Sequence, residues 1–167
     1  MSRLLVVDDD IQMLSALEAA LRHKGHTVET ASNGIDAASK LTSSAGPIHA
    51  VITDLKMPGM DGIELLNHVR RTTPSLPVNM LTAFGTIQTA VDAMKKGAYD
   101  YLEKPFKLEE FKACVERALS YNKAISENLY LRKQLNEKYQ FNKIIGTSAR
   151  MQEIFKLVER VSDTDST

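Results

Sequence analysis

The sequence predicts an α/β fold, a five-stranded parallel sheet wound by helices on both faces, followed by a long helix. Three observations carry this reading. Before Leu108, short apolar runs alternate five times with stretches of helical periodicity, the pattern of a parallel sheet with crossover helices. Several runs end in a polar or charged group at the point where the chain turns: Asp8-Asp9-Asp10, Asp54, Thr82 and Lys104. After Leu108 no strong breaker occurs until Gly146.

Leu4-Leu5-Val6-Val7 is a continuous apolar run, as expected of a strand buried on both faces. Asp10 is placed to cap the next helix, whose apolar positions Ile11, Leu14, Leu17 and Leu21 recur at helical spacing until Gly25 stops it. Residues 26–31 read as a second, half-buried strand at the sheet edge. Asn33-Gly34 then turns into a short helix through Ala37, Ala38 and Leu41, and a loop follows from Ser43 to Pro47. Ala50-Val51-Ile52-Thr53 is the third strand and ends in Asp54. Pro58, Gly59 and Gly62 force a turn before an amphipathic helix with Ile63, Leu65, Leu66 and Val69. Val78-Asn79-Met80-Leu81 is the fourth strand, interrupted by an Asn that needs hydrogen-bond partners if buried. Ile87, Ala90, Val91 and Met94 mark the next helix, closed by Gly97. Residues 99–103 form the fifth strand, leading into Lys104-Pro105.

The helix beginning near Leu108 carries Phe111, Val115, Ala118 and Leu119 and can continue through Ile125, Leu129, Leu131 and Leu135. Unbroken, that is about 30 residues or roughly 45 Å, too long to pack wholly on a small domain. Its charged second half reads as a dimeric coiled coil or a solvated linker helix. Phe141 to Ser148 is expected to interrupt it. Met151, Ile154, Phe155, Leu157, Val158 and Val161 then open a new amphipathic helix with no partner domain, as at the start of a further, truncated domain.

Composition narrows the function. The 167 residues carry zero formal net charge, which argues against a nucleic-acid surface built on bulk positive charge. The single cysteine, Cys114, excludes an internal disulfide framework and reads as a buried, inert thiol. No charged-then-apolar leader and no membrane-length apolar run is present, so a cytoplasmic protein is expected.

The strand ends permit a specific chemistry. In an open α/β sheet, ligands bind in the crevice beyond the carboxyl ends of the strands. There the topology places Asp8, Asp9 and Asp54 opposite Thr82 and Lys104. Clustered carboxylates repel one another, and a divalent cation is the usual reason for them to converge. A hard ion such as Mg²⁺, with Mn²⁺ as a substitute, suits carboxylates together with a backbone carbonyl and keeps waters for a phosphate. Lysine and a hydroxyl can hold phosphoryl oxygens, leaving Asp54 free as a nucleophile that forms an acyl phosphate by in-line transfer.

The matching stretches are Val6-Val7-Asp8-Asp9, Asp54 with Met57-Pro58-Gly59-Met60-Asp61-Gly62, Leu81-Thr82-Ala83 and Lys104-Pro105-Phe106. On these, residues 1–120 resemble the receiver domain of bacterial two-component response regulators, a flavodoxin-like, CheY-like fold. The resemblance implies that Asp54 is the phosphoacceptor. It also implies that Asp9, Asp54 and the Lys56 carbonyl ligate Mg²⁺ directly and that Asp8 acts through water. Lys104 and Thr82 would bind the phosphoryl group, and Tyr101 would swing inward as Thr82 moves. The run from Phe84 to Tyr101 is similar to receivers of the nitrogen-regulator (NtrC) group of sigma-54-dependent activators. Glu127-Asn128-Leu129 with Leu131-Arg132 resembles that group's linker helix, expected at 121–140. Ile144-Ile145-Gly146-Thr147-Ser148 resembles the opening of its AAA+ ATPase domain, expected at 141–167. No phosphate-binding loop of the Walker type is present.

The module so implied is regulatory and not an enzyme, beyond possible autodephosphorylation. A sensor histidine kinase would phosphorylate it, and it would homodimerise through receiver and linker. Sigma-54 RNA polymerase and DNA would be reached only through parts absent from this chain. Three alternatives stand beside it. A stand-alone receiver could have another output. A haloacid-dehalogenase-type phosphatase also uses an Asp nucleophile and Mg²⁺, but Asp8-Asp9-Asp10-Ile11-Gln12 fits its D-x-D pattern poorly. A flavodoxin-like mononucleotide binder would need a phosphate cradle after the first strand, where three Asp repel phosphate.

Overall fold

The computed structural model describes residues 1–43, 46–83 and 87–162, with side chains as far as Asn136 except that of Ile87. Two compact units result, Met1–Ile125 and Ser126–Thr167.

In the first unit, β1 (Arg3–Val7), β2 (Thr27–Ala31), β3 (Ala50–Asp54), β4 (Val78–Thr82) and β5 (Asp100–Glu103) form one parallel sheet in the order β2-β1-β3-β4-β5. The connecting helices are α1 (Ile11–His23), α2 (Gly34–Ser43), α3 (Gly62–Thr72) and α4 (Ile87–Lys95), and α5 starts at Leu108. Because successive strand side chains point to opposite faces, β1 splits its apolar run between two cores. Leu5 and Val7 join Val51, Leu65, Leu66, Val69 and Met80 on one face. Leu4 and Val6 join Leu14, Leu17, Leu21, Ile52, Leu81, Phe111 and Val115 on the other. β3 and β4 are buried at every position, as strands covered on both faces must be.

Local chemistry sets the ends of the elements, at Asp10 and Gly25 as expected. Asp10 caps α1, its Oδ1 accepting the N–H groups of Gln12 and Met13 at 2.9 and 3.2 Å. Gly25 follows α1 with φ +86°, a left-handed turn that glycine takes at no steric cost. Asp61 and Glu64 form a reciprocal capping box on α3.

β2 lies at the sheet edge. Its inward groups pair with the first strand: Thr27 N–H donates to the Ser2 carbonyl, and the Ala31 carbonyl accepts from Asp8 N–H. On the same strand, the Val28 carbonyl accepts from the Arg22 guanidinium at 2.9 Å and the Thr30 carbonyl from Lys40 Nζ at 2.6 Å.

α5 extends from Leu108 to Ser162 without the interruption expected at Phe141–Ser148. No proline falls within it, and Gly146 in a helix interior costs only about 1 kcal/mol relative to alanine. In the first unit α5 buries Phe111, Cys114, Val115, Ala118 and Leu119. In the second unit Leu129, Tyr130, Leu131 and Leu135 are exposed. Phe84-Gly85-Thr86, the tail 163–167, and the side chains of the expected apolar face from Met151 to Val161 lie outside the described residues. Among the described residues no helix is long and apolar enough to cross a membrane.

Candidate functional site

The parallel register brings the strand ends level. Val7 pairs with Thr53 and Asp54 with Leu81, so Asp8 and Asp54 leave β1 and β3 side by side. On the other side of β3, Thr82 pairs with Glu103, and the Thr82 carbonyl accepts Lys104 N–H at 2.7 Å. The Lys104–Pro105 peptide that follows is cis.

Lys104 is the centre of the group. Its Nζ lies 2.5 Å from Asp8 Oδ2 and 2.9 Å from Asp54 Oδ1. Asp8 is 1% exposed and Asp54 6%, so both carboxylates are largely withdrawn from water and held by one ammonium. Backbone donors fix their remaining oxygens: Asp10 N–H donates to Asp8 Oδ1 and Lys56 N–H to Asp54 Oδ2, each at 3.0 Å. Asp54 Oδ1 is buried and has no partner of hydrogen-bond geometry, which leaves its charge aimed at the ammonium without a directed bond. Burial pushes the Asp54 carboxyl up from its ordinary range. Lys104 opposes this, the Asp8 charge reinforces it, and the Lys56 N–H opposes it, with the balance still upward. Burial alone would push the Lys104 ammonium down, but its pairing with the Asp54 and Asp8 carboxylates outweighs that and holds it above its usual value.

The other expected residues fall around this pair. Asp9 and Lys56 are exposed at the same rim, and Thr82 is buried at the end of β4. Tyr101 packs against the core beside its register partner Met80, with its hydroxyl buried and unpartnered. Sequence reasoning missed two contributors that act through the backbone, the N–H groups of Asp10 and Lys56. Gly62, read from sequence as part of the turn, does more than turn the chain: its N–H donates to the Leu55 carbonyl at 3.0 Å. A Cβ at Gly62 would meet the Asp54 carbonyl oxygen at 2.2 Å, so only glycine lets α3 begin against the end of β3.

The donor set fits a hard divalent ion. Two buried carboxylates share one ammonium and the exposed Asp9 follows Asp8 in the chain, so negative charge is left over and the side-chain donors on offer are carboxylate oxygens. Among the described residues no three Asp, Glu, His or Cys side chains are gathered to hold a metal unaided. The fit is therefore to an ion that takes one or two carboxylates and keeps its waters, as Mg²⁺ does.

Comparison with known proteins agrees with this geometry. The family profile described as the response regulator receiver domain matches residues 4–116. The DNA-binding transcriptional regulator NtrC of Escherichia coli K12 is 38% identical over 161 residues, covering 94% of this chain and 32% of that protein. The chain thus spans about a third of the length of such curated relatives. A response regulator receiver domain protein from Clostridium thermocellum superposes with a TM-score of 0.71 at 32% identity, over 75% of this chain and 99% of that one. The solution structure of the beryllofluoride-activated NtrC4 receiver domain dimer superposes with a TM-score of 0.68 at 35% identity, over 73% and 99%.

Proposed function

Since the chain belongs to the response regulator receiver domain family, we propose that it is the phosphorylation-dependent regulatory module of an NtrC-type transcriptional activator, with Asp54 as the phosphoacceptor. The observation that carries this reading is the joint hold of Lys104 on Asp8 and Asp54, two buried carboxylates at adjacent strand tips. An ammonium shared between two carboxylates can turn to an incoming phosphoryl oxygen without leaving the site.

The donor in this reading is the phosphohistidine of a sensor kinase. Asp54 Oδ attacks phosphorus in line as the P–N bond breaks; the new P–O bond gives an acyl phosphate, and the departing imidazole takes up a proton. Asp9, Asp54 and the Lys56 carbonyl would hold Mg²⁺, or Mn²⁺ in its place, with Asp8 acting through water. The ion supplies charge neutralisation that lets a phosphoryl group approach carboxylates. Lys104 and the Thr82 hydroxyl bind the phosphoryl oxygens. Thr82 moves toward the group and Tyr101 turns further inward, shifting α4 and α5 between two states.

The output is a homodimer formed through the receiver and the linker helix at 121–140, where Leu129, Leu131 and Leu135 stand exposed. Residues 141–167 are read as the start of an AAA+ ATPase domain. Contacts with sigma-54 RNA polymerase and DNA belong to the remainder of such a protein, and the compartment is the cytoplasm. The similarity to NtrC and to an activated receiver dimer supports this context.

Intact mass spectrometry after incubation with Mg²⁺ and acetyl phosphate tests the core of the reading. The wild type should gain one phosphoryl group that Asp54→Ala does not, with a parallel change of molar mass by light scattering. An adduct that persists in Asp54→Ala would assign the acceptor elsewhere.

A further inference from the structure

Asn79 is the second residue of β4, with no exposure to solvent, on the face covered by Ile52, Leu81, Phe111 and Val115. Its Nδ2 donates to the Cys114 carbonyl at 3.2 Å and to Cys114 Sγ at 3.1 Å, so a buried strand residue grips the second turn of α5. Its Oδ1 is buried and unpartnered. Across the sheet Asn79 pairs with Asp100 of β5, on the same face. The Asp100 carboxylate accepts from Tyr101 N–H at 2.8 Å and from the Arg117 guanidinium of α5. Tyr99 Oη donates to the Arg117 carbonyl at 3.2 Å. Two neighbouring turns of α5 are therefore hydrogen-bonded to the strands that carry Thr82, three residues past Asn79, and Tyr101, one past Asp100.

Stability does not explain this arrangement. A buried amide with one unpaired oxygen costs free energy, and well-packed apolar residues in place of a buried polar group are often neutral or stabilising. The apolar contacts around it are non-directional and would tolerate small rotations of α5, whereas hydrogen bonds fix angle as well as distance.

We propose that Asn79, Cys114, Asp100 and Arg117 form a positioning cluster that ties the setting of α5 to the ends of β4 and β5, so that a change at Thr82 and Tyr101 moves α5 instead of dissipating in the core. This rests on the phosphoacceptor reading of Asp54. None of the four residues touches the phosphoryl site.

The test uses the full chain with Mg²⁺ and acetyl phosphate, following phosphoryl gain by intact mass and hydrogen exchange in peptides covering 108–125. Wild type should gain the phosphoryl group and change its α5 exchange. Asn79→Leu, which keeps the branched shape without the hydrogen-bonding groups, should gain it equally while losing the α5 response. Cys114→Ala and Arg117→Gln, each removing one link, should weaken it and serve as the comparison if Asn79→Leu does not fold. An α5 response of wild-type size in these variants overturns the proposal, as does a wild type that is phosphorylated with no α5 response. A wild type that takes no phosphoryl group overturns the phosphoacceptor reading itself.

Discussion

At the level of single side chains, buried charge decides most of what can be measured. Lys104 is paired with both Asp8 and Asp54. Lys104→Ala should therefore lower stability by about 1–3 kcal/mol, the cost of leaving buried acceptors unpaired. Without a competing ammonium the carboxylates should also bind Mg²⁺ more tightly, so added Mg²⁺ should raise the variant's melting temperature more than the wild type's. Asp100 gives a pH signature. Burial pushes its carboxyl up, but Arg117, the Tyr101 N–H and Cys114 together hold it below the usual carboxylate range. A depressed carboxyl adds stability above its unfolded pKa of about 4 and loses it as pH falls through the lower folded value. Asp100→Asn should thus cost a few tenths to about 1 kcal/mol at pH 7, because Arg117 is more than half exposed, and the gap should close in acid melts. Cys114 is 1% exposed with its thiol pushed up to about 12 by burial and by the Asp100 charge. It should resist alkylating reagents at pH 8 until the protein unfolds. Asp54 and Lys104 were legible from sequence because strand ends announce themselves by where apolar runs stop. The partner of Asn79 was not, because Cys114 is 35 residues away and its carbonyl carries no side-chain signal.

Among the elements, the junction of β3 with α3 is the most constrained. Gly62→Ala would drive a Cβ to 2.2 Å from the Asp54 carbonyl oxygen, and to 3.0 Å from both Leu55 Cα and Met80 Cε. Backbone cannot yield as a side-chain tip can, so the variant should lose about 1–3 kcal/mol or more and displace Asp54. Denaturant melts with the phosphoryl-gain assay would show both effects together. Asp61→Ala, by contrast, should cost about 1 kcal/mol for the lost cap and leave phosphoryl gain intact. Caps and turns of this kind were readable from Asp10 and Gly25 because each acts on its own neighbours. The course of α5 was less so: Gly146 and the polar residues around it suggest a stop, yet no proline enforces one and the helix runs on to Ser162. Propensity is a weak prior where only one glycine opposes many good helix formers.

On the scale of the whole molecule, residues Met1–Ile125 hold both apolar cores, all five strands and the strand-tip site. A fragment ending at Ile125 should unfold cooperatively near the full chain's melting temperature and take up a phosphoryl group equally well. Light scattering should show it losing whatever association the exposed leucines of 129–135 supply. The sheet order was foreseeable only in part: the half-polar pattern of residues 27–31 marked β2 as an edge strand, whereas alternation of strands and helices implies parallel pairing but does not by itself order the remaining strands. That β2 is outermost has a bearing on how copies of this protein can meet. Its free edge would template a further strand from a neighbour, the usual route to runaway aggregation. The acceptors such a strand would need, the carbonyls of Val28 and Thr30, are already taken by the Arg22 and Lys40 cations. Edge-to-edge addition of a strand at that end would have to displace both cations, so the fold itself discourages the growth of fibrils from β2.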